Sequence, residues 1–496
     1  MRTLKYKTLA AALALFFSWS CVRMRSIAPQ EIGASGPSEK VLVIMKDGTK
    51  VTMKDPLVRD NKLFGEISGE KNRQIDLADI ISVQVVRRNW SAPILLLGAA
   101  GVAVWLIAAE SNAPKKPPTS SCPFVYSFDG EQYVLDAEPY GGAIAKGLKR
   151  TEWLSLDHLK EIDGRYRIVA TNELDETEFT DEMKLVVVDH PEGSAVVPDA
   201  QGRVHTFVHP LPPVRAWDRA GRDIRSFVSA SDNYLWPGLA ETDDRAGSDR
   251  LRDSIIFEFP KPADARTAKL VAGAWTTMMG SRAAKGFLEL YGNKVQEFYD
   301  DVNGFGPGYR RVMSWYLNEE LYMLKVWVET KEGWKPRALI YGGGPFIAKE
   351  KACTLDVSDV PGDVLRIRLN PPLGFWKLDR IAVDYSVDLP VNILEIAPVS
   401  VVNQQGNDMR DLLEAGDDVF YKMPAKGDRA ELVFIAPPPA AGLSRTVLLK
   451  ATGYYELHLD AKGEPRRDIL DRCFNEPGFA LRYALEEAEK KAGKGR

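Results

Sequence analysis

Cysteine and histidine are scarce in this chain, with four Cys and five His among 496 residues. No two cysteines stand in C-x-x-C spacing and no H-E-x-x-H occurs, so zinc-knuckle, thioredoxin-like and zincin patterns are excluded. G-x-x-x-x-G-K-[ST] and G-x-S-x-G are missing too, which removes the phosphate-loop and α/β-hydrolase signatures. An excess of one charge is also lacking. Lys+Arg number 65 and Asp+Glu 69, for a net charge of −4, and the basic residues are scattered among acids. That balance argues against a general polyanion binder, so no nucleic-acid partner is expected. No catalytic residue, metal site or cofactor is assigned from the sequence.

The most informative stretch is the first 21 residues, MRTLKYKTLAAALALFFSWSC. Arg2, Lys5 and Lys7 form a positive leader, and Leu9 to Phe17 form an apolar core too short for the roughly 20 residues of a membrane span. The segment reads as a bacterial export signal, 1–21, ending at Cys21. It resembles a lipobox, with Ser20 acceptable before the cysteine and departures at Ser18 and Trp19. Cys21 is therefore the expected lipidation site and membrane tether. Of the other cysteines, Cys122, Cys353 and Cys473 cannot all pair internally, and they are expected to pack as small apolar residues.

A first module, 40–90, follows. Val41 to Met45 is an apolar run, and Val51 and Met53 alternate with polar neighbours across Asp47-Gly48, a hairpin signal. Leu63 to Ile67 and Ile81 to Val86 read as further strands. The module resembles the small barrel-like β modules of envelope lipoproteins. The uncharged segment 92–109, APILLLGAAGVAVWLIAA, is long enough to be a membrane-spanning candidate. Arg87 and Arg88 balance Lys115 and Lys116, so charge sets no orientation. Either this helix stops transfer and the remainder stays inside, or it passes through and lies in the membrane surface or a groove. The wholly exported chain is the expectation. A Pro/Lys/Ser linker, 110–121, precedes the body.

From Cys122 to about Asp460, short apolar or alternating runs are spaced by Gly, Pro and Asp. Tyr166 to Val169, Lys184 to Val188, Ile255 to Phe259, Met323 to Val328 and Val364 to Leu369 are examples. The pattern points to β-sandwiches rather than βαβ units. The fold class expected is mainly β. It comprises the barrel-like module, one apolar helix, tandem sandwich or jelly-roll-like domains at 122–246, 247–390 and 391–460, and a C-terminal helix in 461–496.

CPFVYSFDGEQYVLDAEPYGGAIAKGLKRTEWLSL, from Cys122, and the later DGRYRIVATNELDETEFTDEMKLVVVDHP are similar to a β-rich region of uncharacterised bacterial envelope lipoproteins. Ala268 to Ser386 resembles a galactose-binding-type jelly roll, with GFWKLDRIAVDYS as its closing strand and Ile381 and Val383 toward the core. These resemblances imply a fold and transfer no activity.

Candidate chemistry is thin. His205 and His209 would share a strand face, but a third metal ligand is not identified. The acids Glu173, Asp175, Glu176, Glu178, Asp181 and Glu182 lack the glycine of a calcium loop. They read as a solvated strand edge with Phe179 and Met183 turned inward. Gly141-Gly142 and Gly342-Gly343-Gly344 read as turns. Among Trp275, Trp315, Trp327, Trp334 and Trp376, most are expected in the core. Trp327 and Trp334 are the candidates for stacking on a sugar. The function expected is a non-catalytic binding or scaffolding role in the cell envelope, with a protein or glycan partner. The membrane would be met through lipid at Cys21 and through 92–109. The rival is a hydrolase of envelope polysaccharide or peptidoglycan, which needs convergent acids in an open cleft.

Overall fold

A computed structural model describes residues 22–27, 40–45, 50–59, 62–67, 70–77, 80–88, 123–232, 234–236, 251–460 and 462–493. The expected signal with Cys21, the apolar segment 92–109, the linker 110–121 and Cys122 lie outside them. The chain divides into two compact units, Met1–Pro117 and Pro118–Arg496. Among the described residues no helix is long and apolar enough to cross a membrane.

The first unit is one antiparallel sheet of β1 (Val22–Ile27), β2 (Lys40–Met45), β3 (Lys50–Arg59), β4 (Lys62–Ile67), β5 (Glu70–Asp76) and β6 (Ile80–Arg88). β2 and β3 pair antiparallel, with Val43 opposite Val51, while Asp47 and Gly48 lie outside the described residues. Val43, Met53 and Leu63 are fully buried. The strand order β1-β6-β2-β3-β4-β5 is an open path. The barrel-like expectation is therefore corrected to an open sheet, because β1 caps β6 and leaves β5 at the far edge.

The second unit begins with β7 (Phe124–Phe128), β8 (Tyr133–Ala137), β9 (Arg150–Ser155), β10 (Tyr166–Thr171) and the long β11 (Glu176–Pro191). A cover hairpin, β12 (Ala195–Pro198) and β13 (Val204–Phe207), leads into β14 (Arg215–Trp217), β15 (Ile255–Pro260) and β16 (Thr267–Thr276). Next come helices α1 (Met278–Glu289), α2 (Val295–Asn303) and α3 (Pro307–Glu319). The strands resume with β17 (Met323–Thr330), β18 (Gly333–Tyr341), β19 (Glu350–Asp356), β20 (Val364–Leu369) and β21 (Trp376–Asp384). The chain ends with β22 (Asn392–Ile396), β23 (Ser400–Asn403), β24 (Tyr421–Met423), β25 (Arg429–Phe434), β26 (Leu443–Leu457), α4 (Arg467–Asn475) and α5 (Phe479–Gly493).

These strands build two sandwiches. In the first, the sheet β23-β25-β10-β7-β8 and the sheet β22-β11-β26-β9 bury Val125, Ile168, Leu185, Leu432 and Leu449 in a shared core. Strands from both ends of the unit are thus interleaved: Tyr166 pairs with Phe434, and Glu176 with Leu457. Segment 391–460 is not a domain of its own, since its strands complete sheets begun by β7–β11. The second sandwich, between β11 and β22, sets β14-β15-β20-β17-β18 beside β19-β16-β21. Strand β16 is buried on both faces. Leu270 belongs to the main core, while Val271 packs under the cover hairpin with Val197 and Phe207. Ile381 and Val383 lie in the core as expected.

Three helices interrupt the expected run of strands. The Thr277 side chain caps α1 by accepting from Met279 N, and Pro307 opens α3 where its missing N–H costs nothing. The tail expected as one helix is two, broken at Glu476-Pro477-Gly478. Phe474 meets Phe287 at 5.3 Å and Trp315 at 5.6 Å between ring centroids, which fixes α4 on the helical insert.

Candidate functional site

The sheet β14-β15-β20-β17-β18 has two unlike faces. Ala216, Phe257, Leu324, Val326, Val328, Leu365 and Ile367 are buried inward. Alternation then turns Trp217, Ile256, Arg368 and Trp327 outward, and the register sets them in one row. A second row holds Arg215, Glu258 and Arg366, with Glu329 opposite Trp334 at the edge hairpin. A bulge between Val326 and Trp327 shifts the register there. Such bulges re-aim side chains.

Trp327 and Trp334 are both half-buried on this outer face, where sequence reasoning had proposed sugar stacking. Arg368 joins them: its Cζ lies 5.4 Å from the Trp327 ring centre and 4.5 Å from that of Trp334. Arg215 stands 5.0 Å over Trp217 in the same way. The acids on the face are engaged. Glu258 accepts from Arg366 Nε at 2.7 Å and Arg215 Nη1 at 3.2 Å, and Glu329 accepts from Arg366 Nη1 at 2.8 Å. Trp327 Nε1 and Arg368 Nε have no hydrogen-bond partner among the described residues. An orphaned buried donor typically costs about 1–3 kcal/mol, and the same condition recurs away from this face at Trp315 Nε1 and Arg429 Nε. Burial also holds the Arg368 guanidinium below the usual arginine range. Chemically, the indoles offer flat apolar plates and the Arg368 guanidinium between them offers a positive charge. Arg368 and Trp217 were not anticipated, although Arg366 and Arg368 alternate with Leu365, Ile367 and Leu369 in VLRIRL.

The other three tryptophans expected in the jelly-roll segment, Trp275, Trp315 and Trp376, are buried, and Trp376 Nε1 donates to Glu320 O at 2.8 Å. The two histidines of HTFVH do not act together. Buried His205 meets Asp388 Oδ2 at 2.9 Å through Nδ1, whereas His209 lies exposed beyond the end of β13. Among the described residues no group of three or more His, Cys, Asp or Glu side chains is placed to hold a metal. Cys353 and Cys473 are free thiols, each pushed up to about 12 chiefly by burial.

The acidic run departs from expectation. β11 is an inner strand of its sheet, so Glu176, Glu178, Asp181 and Glu182 are buried rather than solvated. A bulge between Thr180 and Glu182 breaks the alternation and brings Asp181 inside, where Lys149 Nζ donates to it at 2.6 Å. Glu178 has neither carboxyl oxygen hydrogen-bonded among the described residues. Burial first, then Glu176, Glu173 and Asp428, hold it well above the ordinary carboxyl range.

The glycine clusters meet each other. A Cβ on Gly141 would lie 2.7 Å from Gly343 C, and one on Gly344 would lie 2.5 Å from Glu138 Cδ. Arg150 Nη2 ties the two loops by donating to Gly141 O at 2.6 Å and Gly342 O at 2.8 Å. Glu138 Oε2 accepts from Phe346 N at 2.7 Å and Ile347 N at 2.9 Å. Burial nevertheless drives the Glu138 carboxyl up to about 8. A small cavity lined by Glu138, Trp275, Lys349 and Lys351 adjoins it. It has room for roughly one water and too little for a sugar ring.

The chain matches no family model and no curated protein. Two solved viral structures align over 70% of it. A chain from the atomic structure of Sulfolobus turreted icosahedral virus is 9% identical, fully covered, with a TM-score of 0.13. Another, from an archaeal virus with a triple jelly-roll fold and turret assembly, is 7% identical, 98% covered, also with a TM-score of 0.13. At that level of superposition neither carries an argument.

Proposed function

We propose that this protein is exported to the cell envelope, held there by lipid on Cys21, and binds glycan without chemistry through the outer face of the second sandwich. The observation that supports the binding reading is the pairing of Trp327 and Trp334 across Arg368 on an outward sheet face. Flat indoles stack on the C–H faces of pyranose rings, and the Arg368 guanidinium beside them is a charged donor without a carboxylate bond among the described residues. The acids on that face are neutralised by arginine, which suits adhesion rather than proton transfer. The membrane reading rests on the leader and on 92–109 as a second contact. β1 begins directly after Cys21, so a lipid there would set the first unit at the bilayer surface.

Glycan arrays and cell-wall pull-downs with the full chain test the binding reading. Retention is expected on a subset of glycans, and Trp327→Ala with Trp334→Ala is expected to abolish it without changing the far-UV circular dichroism. Retention on no glycan would remove the proposal. Fractionation of wild type against Cys21→Ala tests the anchor. The variant should leave the membrane fraction, and protection of the body from protease in spheroplasts would overturn export.

A further inference from the structure

The outward rows of β14, β15, β17 and β20 carry four cations, and all but one have a carboxylate partner. Arg215 and Arg366 share Glu258, Arg366 also binds Glu329, and Lys325 stands 4.0 Å from Glu320. Arg368 has no hydrogen bond or ion pair among the described residues. It has only the two indole rings and the more distant fields of Glu320 and Glu329. A partly desolvated guanidinium is disfavoured unless a counter-charge reaches it. It lies in the middle of the aromatic surface, so whatever docks on the indoles meets it.

We infer that the face selects glycans whose pyranose rings bear carboxylates, with Arg368 reading the charge and Trp327 and Trp334 holding the ring; this rests on the glycan-binding reading above. The guanidinium fork matches a carboxylate, and a charge-assisted bond of this kind is about twice as strong as one to a neutral hydroxyl. A uronic acid suits the arrangement because its carboxylate is attached to the ring itself. The guanidinium covers part of each indole, so a ring stacked on the part left open brings its own carboxylate beside it. A phosphate in a polymer backbone sits between residues rather than on a ring and does not follow the stacked ring in this way.

The test uses the full chain and two uronate oligomers, of galacturonate and of glucuronate, each with its neutral methyl ester. Binding is read by titration calorimetry and by tryptophan fluorescence. At least one free acid should bind about tenfold or more tighter than its ester, and the gap should narrow as salt rises. Arg368→Gln should erase that gap, so that acid and ester bind with equal affinity. Arg368→Lys, which keeps charge but loses the fork, should fall between. Equal binding of acids and esters by the wild-type protein would overturn the inference and leave glycan binding standing. A preference that survives Arg368→Gln would also overturn it. Failure of every sugar to bind would overturn both.

Discussion

Replacing Glu138 by Gln should abolish a defined part of the pH dependence of stability. Glu138 is 2% exposed, and its carboxyl is raised from 4.5 to about 8. Burial is the dominant cause; the Phe346 and Ile347 N–H groups oppose it, and Glu173 adds a little to it. A carboxyl raised in the folded state holds its proton there after the unfolded chain has released one. The associated stability is complete below about pH 4.5 and declines as pH climbs through the interval up to about 8. At about 1.36 kcal/mol per pH unit, the loss between about pH 5 and about pH 8 is on the order of 4 kcal/mol. Gln keeps an acceptor for the Phe346 and Ile347 amides and cannot ionise. Urea unfolding of both proteins across that range, followed by tryptophan fluorescence, should give curves that diverge, with the variant gaining relative stability as pH rises. Subtracting one from the other removes every group that titrates alike in both. Curves that run parallel would refute the reasoning.

Three further outcomes follow from the packing. Glu178→Met should raise the melting temperature near neutral pH, by about 1–2 kcal/mol in stability, because it replaces a buried carboxyl with no hydrogen bond among the described residues by an apolar group of similar length; a comparable loss would show that Glu178 is satisfied. Trp376→Ala should cost about 3–5 kcal/mol, from a cavity and the stranded Glu320 carbonyl, whereas Trp334→Ala on the outer face should cost far less in the same denaturation assay. Gly142→Ala should cost about 2 kcal/mol or more, since φ is +86° there and the new Cβ would sit 2.5 Å from the Tyr322 ring; an unchanged melting curve would contradict that close approach.

Local order was legible where alternation is clean. Met323–Thr330 and Val364–Leu369 read as strands because Lys325, and Arg366 and Arg368, stand singly between apolar residues. VRMRSI at Val22–Ile27 also begins with an alternation of apolar and basic residues, yet the sequence reading assigned it no strand. The helical insert was missed although Met279, Ala283, Ala284, Phe287 and Leu288 recur at helical spacing, because the surrounding strand signals set the context. The acidic run misled for a physical reason. Hydropathy assigns Glu176, Glu178 and Asp181 to water, while the strands that flank that end of β11 are β24 and β26, far along the chain. Arg368 escaped notice because an arginine without a carboxylate is visible only once its neighbours are placed.

The splitting of the first sandwich by the second bears on how the chain reaches its native state. β11 cannot meet β26 until everything between Pro191 and Leu443 has been made, and if the protein is exported, until it has crossed the membrane as well. Through that interval the inner surfaces of β7, β10 and β11 have no lasting partner. Pairings across so long a span close slowly and leave apolar strands open to other chains. The protein should therefore depend on a holding chaperone during its biogenesis, and truncations that end before β22 should aggregate rather than fold to a smaller domain.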